Sequence, residues 1–215
     1  EAFKEHFAKI LNDYDAIIHF DISSEMSSAY QNAVNASKNF KNVYVVDSRT
    51  LSTAISLEAI YAKKLTETMD DPAKIVELVK KRIPAVQTSF IIERLDYLYK
   101  GGRCSGLALL GANLLKIRPE IEVLNGNMKN TEKFRGKMAD CVTKYCRATL
   151  EKYNHPDKSV IFITHSVADK ELVDAAKAVV SEYGFENVYE TTAGCTVSSH
   201  CGKNTLGILY INDGE

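Results

Sequence analysis

The sequence predicts an α/β protein of two domains, with a parallel α/β N-terminal domain over 1–83 and a mixed-sheet α/β C-terminal domain over 84–215. Three observations carry this. Short apolar strands alternate with amphipathic helical stretches up to Arg82, the pattern of a parallel sheet wrapped by helices. From Val86 onward that alternation is interrupted by Asn125-Gly126, a two-residue hairpin signal that requires an antiparallel pair. Between the two patterns stands Ile83-Pro84, where the boundary is placed.

The elements follow in order. Phe3, Phe7, Ile10 and Leu11 recur at helical spacing, and Ala16 to Phe20 is a short buried strand. A serine run, Ser23, Ser24, Ser27 and Ser28, precedes a helix over Ala29 to Lys38, as hydroxyl-capped helix starts do. Val43 to Val46 is the second strand, followed by a helix from Thr53 to Thr68. Asp71-Pro72 opens the next helix, with Pro at its first position, and Arg82 ends it. In the second half a strand Thr88 to Ile92, a short helix Glu93 to Tyr99, the break Gly101-Gly102, a helical stretch Leu107 to Leu115 and a strand Ile117 to Leu124 lead to the hairpin. Its return strand is centred on Lys129 to Lys133. A helix Gly136 to Lys152, a strand Val160 to Thr164, a helix Ala168 to Tyr183 and strands Asn187 to Thr191 and Leu206 to Ile211 complete the chain.

Composition narrows the function classes. The 215 residues carry 27 basic against 28 acidic side chains, a formal net charge of -1. Without a Lys/Arg block this argues against a nucleic-acid binder that works by neutralising phosphates and against a polybasic membrane anchor. The longest apolar runs, such as Leu107 to Leu110 and Val160 to Ile163, fall far short of the roughly 18 residues of a membrane span, so no stable membrane insertion is expected. The chain opens at Glu1 directly on helical periodicity, which reads as processing or a missing leader. Five scattered cysteines, Cys104, Cys141, Cys146, Cys195 and Cys201, point to reduced thiols and a cytoplasmic location.

Four places could carry chemistry. The serine run at a strand-to-helix junction lies where ligands of parallel sheets bind, and its hydroxyls and amides suit a carboxylate or phosphate; plain helix capping is the alternative. No Gly-x-Ser-x-Gly elbow surrounds it, which disfavours a serine nucleophile. His200 sits in Ser198 to Thr205, a polar, turn-forming stretch before the last strand, as an anion donor or an ordinary loop histidine. Cys195, His200, Cys201 and His165 are a conceivable zinc set, but their spacing lacks the usual paired geometry, and no metal is expected. Gly202-Lys203-Asn204-Thr205 lacks the first glycine and the Lys-Ser/Thr pair of a phosphate loop, so no nucleotide site of that kind is present. Gly101-Gly102 lets the chain leave a helix and deliver Arg103 to a fixed place, either as a solvated cation or displayed to an anionic partner.

Taken together, Ile22 to Ser27 before Tyr30, Val46-Asp47-Ser48, Leu95 to Arg103, Leu114 to Pro119, Lys133 to Gly136, and His200-Cys201-Gly202 before Leu206-Gly207 resemble the DegV family of bacterial fatty-acid-binding proteins. The resemblance runs along the whole chain. It implies a two-domain DegV-like fold holding one long-chain fatty acid in a tunnel between the domains, with no other cofactor. It also implies that Ser23, Ser24 and His200 bind the carboxylate, and that Arg103 lies on the face shown to an ATP-binding fatty acid kinase subunit, which makes acyl-phosphate for phospholipid synthesis. Members carry a further strand and loop ahead of the point matching Glu1. The chain departs from the family pattern at Ser27-Ser28-Ala29, where Ser-Gly-Thr is usual, and at His200 to Asn204, where His-x-Gly-Pro-Gly is usual. A carrier is the expected role; a small serine/histidine hydrolase or transferase acting on a carboxyl substrate is the alternative.

Overall fold

The computed structural model describes residues 1–102 and 116–214. The chain is α/β and divides into two compact units, Glu1–Pro84 with Asn125–Asn127, and Ala85–Leu124 with Met128–Glu215. The turn that the sequence assigns to the second domain's hairpin therefore groups with the first unit.

In the first unit, β1 (Ile17–Asp21) and β2 (Val43–Asp47) pair in parallel, from Ile17 opposite Val43 to Asp21 opposite Asp47. Helix α2 (Ala29–Ser37) connects them; α1 (Ala2–Ile10) precedes and α3 (Thr53–Thr66) and α4 (Pro72–Arg82) follow. Side chains alternate across a strand, so each face buries its own set. Ile17, Val43 and Val45 pack with Phe7, Ala33 and Ala36 of α1 and α2, while Ile18, Phe20, Tyr44 and Val46 pack with Ala62, Ile75, Val76 and Val79 of α3 and α4. Helix α4 starts as expected: the Asp71 carboxylate accepts from the amides of Ala73 at 3.0 Å and Lys74 at 3.3 Å, and Pro72 takes the position where no amide is needed.

The second unit is built on one six-stranded mixed sheet, ordered β5-β4-β3-β8-β6-β7. Its strands are β3 (Val86–Ile91), β4 (Ile117–Leu124), β5 (Asn127–Arg135), β6 (Ile161–Ser166), β7 (Val188–Thr192) and β8 (Thr205–Ile211). The last strand is central and buried along its whole length, running antiparallel to both β3 and β6, while β6 and β7 are parallel. Helices α6 (Met138–Lys152) and α7 (Lys170–Ser181) bury Tyr145, Leu150, Leu172 and Val179 against Ile91, Ile161, Ile163, Leu206 and Ile208. The opposite face, with Phe90, Ile92 and Ile121, receives Leu98 of α5 (Asp96–Lys100) and Cys201 of α8 (Cys195–Cys201).

The hairpin turn Asn125-Gly126 has φ of 53° and 83°, the left-handed pair that an Asn-Gly turn supplies. The structure differs from the sequence reading at Ser198 to Thr205, read as a polar, turn-forming stretch: helix α8, Cys195–Cys201, runs into it. Its Ser, Thr, His and Cys residues are weak helix formers, but Val197 and Cys201, four apart, reach one apolar cluster, and that packing decides the conformation. The helical stretch Leu107 to Leu115 lies outside the described residues.

At the sheet centre Gly207 passes so close to β3 that an added Cβ would stand 2.5 Å from the Ser89 carbonyl oxygen and 3.1 Å from the Phe90 Cβ. Both neighbours are fixed by ladder hydrogen bonds and core packing. Gly207→Ala is expected to destabilise the protein by about 1–3 kcal/mol or more, read as a lower denaturant midpoint at unchanged slope.

Candidate functional site

Parallel pairing places the C-terminal ends of β1 and β2 side by side, and two loops leave from there: Ile22 to Ser28 toward α2, and Ser48 to Ser52 toward α3. One carboxylate joins them. Asp47 Oδ1 accepts from the Ser24 amide at 3.0 Å and from the Arg49 amide at 3.1 Å. The Ser23 amide donates to the Thr50 carbonyl at 2.9 Å, and the Ser48 amide to the Asp21 carbonyl at 3.2 Å. The second loop holds Arg49 and Ser52 at φ 55° and 58°, left-handed conformations that non-glycine residues adopt only where surrounding bonds enforce them.

The serine run is not one cluster. Ser23 is buried and Ser24 exposed. The Ser23 carbonyl accepts from the amides of Met26 at 2.9 Å and Ser27 at 3.2 Å, which closes a separate turn before the helix. Ser27 Oγ accepts from the Ala29 amide at 3.1 Å, whereas Ser28, the residue at the helix N-cap, makes no capping bond with its side chain. The Ser23 hydroxyl accepts from the Glu25 amide at 3.3 Å and donates to the Gly126 carbonyl at 2.7 Å. The amides of Ser23 to Ser27, expected to offer themselves with the hydroxyls to one anion, already have acceptors. What faces outward is the Ser24 hydroxyl, which accepts from Arg49 Nη1 at 3.2 Å.

Arg49, which the sequence reading passed over, is the cation of this group. Its Nη1 also lies 3.2 Å from Glu25 Oε1 and 3.6 Å from Asp47 Oδ2, and its Nη2 donates to the Asn125 carbonyl at 2.5 Å. The available signal was its place two residues after Asp47 at a strand end, the usual location of ligand-binding loops.

One turn into α3, Glu58 is 2% exposed and neither carboxyl oxygen has a hydrogen-bond partner among the described residues. Burial pushes its carboxyl up to about 9, and the charge of Asp47 adds to the shift. The group therefore carries a proton at neutral pH. Because the folded value is raised above the ordinary 4.5, the stability linked to it is complete below about pH 4.5 and is lost as pH rises through about 9. Glu58→Gln is expected to flatten the fall of the denaturant midpoint between those limits. Glu58→Leu is expected to raise stability by about 1–3 kcal/mol, because an unpartnered polar group leaves the core.

In the second unit, His200 lies on α8 against the glycine break. An added Cβ on Gly101 would stand 2.2 Å from His200 Nδ1, and one on Gly202 would stand 2.5 Å from Tyr97 Cδ2. Gly102 and Gly202 have φ of 65° and 77°. Two stretches singled out separately, Tyr97 to Gly102 and His200 to Gly202, are therefore one structural group. Arg103, the residue this break was expected to deliver, lies outside the described residues. Gly101→Ala is expected to turn the His200 ring, read as a shift of its imidazole resonances with the unfolding transition still cooperative.

The four side chains weighed for zinc do not assemble. Among the described residues no group of three or more His, Cys, Asp or Glu side chains could hold a metal ion. His165 is a satisfied histidine: its Nδ1 accepts from the Ala168 amide at 3.2 Å, which leaves Nε2 to donate to Glu190 Oε1 at 3.2 Å. Cys141, Cys146, Cys195 and Cys201 are free thiols, and burial pushes Cys201 up to about 11. No helix among the described residues is long and apolar enough to cross a membrane.

The family model described as "Uncharacterised protein, DegV family" matches residues 1–213. The chain belongs to the DegV family. A DegV relative named fatty acid-binding protein, from Thermotoga maritima, is 32% identical over 218 residues, covering 96% of this chain and 73% of that protein. Among solved structures, a Thermotoga maritima protein described as revealing fatty acid binding function aligns with TM-score 0.82 at 28% identity over 98% of this chain and 74% of its own. A DegV lipid binding protein from the same organism aligns with TM-score 0.84 at 27% identity over 97% of this chain and 73% of its own. The DegV fold expected from the sequence motifs is the fold observed.

Proposed function

We propose that this DegV protein is a carrier that binds one long-chain fatty acid in a tunnel between its two units, with the carboxylate held by Ser23, Ser24 and His200. The observation that carries the reading is its likeness, along nearly the whole chain, to a relative named fatty acid-binding protein. The local chemistry supports it: hydroxyls at Ser23 and Ser24 stand at the ends of parallel strands, and an imidazole at His200 stands in the space that Gly101 leaves open. Charge-assisted hydrogen bonds of this kind offset the loss of water around a carboxylate. An acyl tail gains about 0.8 kcal/mol per buried methylene, so a dozen contribute up to about 10 kcal/mol before ordering costs. Tail burial dominates affinity and the head group sets orientation.

The carboxylate would then be presented to an ATP-binding kinase subunit, with Arg103 on the presenting face, its planar fork suited to carboxylate or phosphate. On this reading the chain supplies binding and orientation, and the kinase subunit in the cytoplasm supplies phosphoryl transfer for phospholipid synthesis.

Organic extraction of purified protein followed by mass spectrometry tests the reading. A stoichiometric fatty acid is expected. An empty protein that instead turns over ester substrates, with activity lost in Ser23→Ala, would establish the hydrolase alternative. Ser23→Ala and His200→Ala are each expected to weaken fatty acid retention by about 1–3 kcal/mol, the loss of one hydrogen bond to a charged group while the tail stays buried. Equilibrium titration with a fluorescent fatty acid measures this, and abolition of binding by either change in a folded protein contradicts a tail-dominated affinity.

A further inference from the structure

The Ser23 hydroxyl has one proton, and in this structure that proton goes to the Gly126 carbonyl at 2.7 Å. The adjacent carbonyl, of Asn125, takes Arg49 Nη2 at 2.5 Å. Two successive peptide oxygens of one turn thus occupy a hydroxyl and a guanidinium donor side by side, the pair of contacts that the two oxygens of a carboxylate would make. The approach is unusually close. Gly126 sits at φ 83°, and an added Cβ would stand 2.7 Å from Ser23 Oγ and 2.9 Å from Arg49 Cζ, so only glycine allows it.

We propose that the Asn125-Gly126 turn is an internal stand-in for the ligand carboxylate, which must be displaced on binding, and that Arg49 is a further carboxylate donor sharing this role with Ser23. The inference rests on the fatty acid reading given above. The neighbouring groups fit an exchange. The amides of Ser23, Ser24, Glu25, Met26 and Ser27 are all committed to acceptors within the first unit, so they cannot supply the ligand's bonds. Arg49 already shares its charge with Glu25 and Asp47. What it adds is a directed N–H bond, not a net positive field. Once the turn leaves, Ser23 Oγ–H and Arg49 Nη2–H are the donors set free.

The test uses the full chain, freed of co-purified lipid, and oleate as probe. Gly126→Ala removes the close approach and is expected to raise oleate affinity about threefold to tenfold, the worth of an internal hydrogen bond no longer in competition. In that background Arg49→Gln is expected to take the gain back. Gly126→Asn serves where alanine at a positive φ prevents folding, because asparagine tolerates the left-handed region while still placing a Cβ against Ser23. In the unmodified protein, amide exchange at Gly126 and Asn127 is expected to quicken when oleate is added. Lower or unchanged affinity in folded Gly126 variants, or slower or unchanged exchange on loading, overturns the displaceable turn. Unchanged affinity on adding Arg49→Gln removes Arg49 as a donor. If the unmodified protein binds no oleate at all, the fatty acid reading falls and the turn proposal with it, whereas binding without these responses overturns the turn proposal alone.

Discussion

The Asp47 carboxylate is the group on which the loops of the first unit depend. Standing at the end of β2, it accepts from the Ser24 amide of one loop and the Arg49 amide of the next, and so fixes the spacing between them. Without that acceptor two amides lose their partner, and the positive φ at Arg49 has less to enforce it. Hydrogen bonds to an ionised acceptor are about twice as strong as neutral ones, which is why one carboxylate can hold two loops. Its charge has a cost elsewhere: it adds to the burial that keeps Glu58 protonated.

In the second unit α5 and α8 meet by a different route, through close approach and not through charge. Glycines at 101 and 202 leave no atoms where His200 and Tyr97 stand, so α5 and α8 meet at side-chain-to-backbone distance. Cys201 and Val197 anchor α8 on the sheet, and the position of His200 follows from that packing. The face of the same sheet toward α6 carries Glu120 and Glu122, two apart on β4 and both buried. Lys152 pairs with Glu122 at 2.6 Å, while burial, with Glu122 and Glu132 beside it, pushes Glu120 up to about 7. One lysine for two carboxyls leaves the second to take up a proton.

Most of the fold was legible because its signals are local. Asp71-Pro72 marks a helix start to the residue, Asn125-Gly126 fixes a hairpin, and strand alternation separates the two faces of β1 and β2. The conformation of Cys195–Cys201 was not, since it depends on a cluster assembled from Phe90, Ile92, Leu98 and Ile121, distant in sequence. The candidate site was legible in part for the same reason. Ser23 and Ser24 could be singled out by place and residue type. That the Ser23 hydroxyl is already engaged by a residue 103 positions away, and that Arg49 shares the turn, are long-range facts without a local pattern. Glu58 offered no warning either. A glutamate on an amphipathic helix is ordinarily solvated, and only the buried stripe Ala54, Leu57, Glu58 and Ala62 places it inside.

A site whose donors are already satisfied selects ligands by exchange. Each incoming acceptor must replace a peptide carbonyl, and a neutral oxygen that does no better than a peptide gains nothing from the swap. An ionised carboxylate does better: the bond from the neutral Ser23 hydroxyl becomes charge-assisted, about twice as strong as a neutral one, and the bond from the Arg49 guanidinium becomes one between opposite charges. Exchange of this kind separates a free acid from its ester or alcohol even though all three carry the same apolar tail and gain the same tail burial. On the proposed fatty acid reading, discrimination falls to Ser23, Arg49 and the Asn125-Gly126 turn and retention to the tail, so the two properties can change independently in related chains.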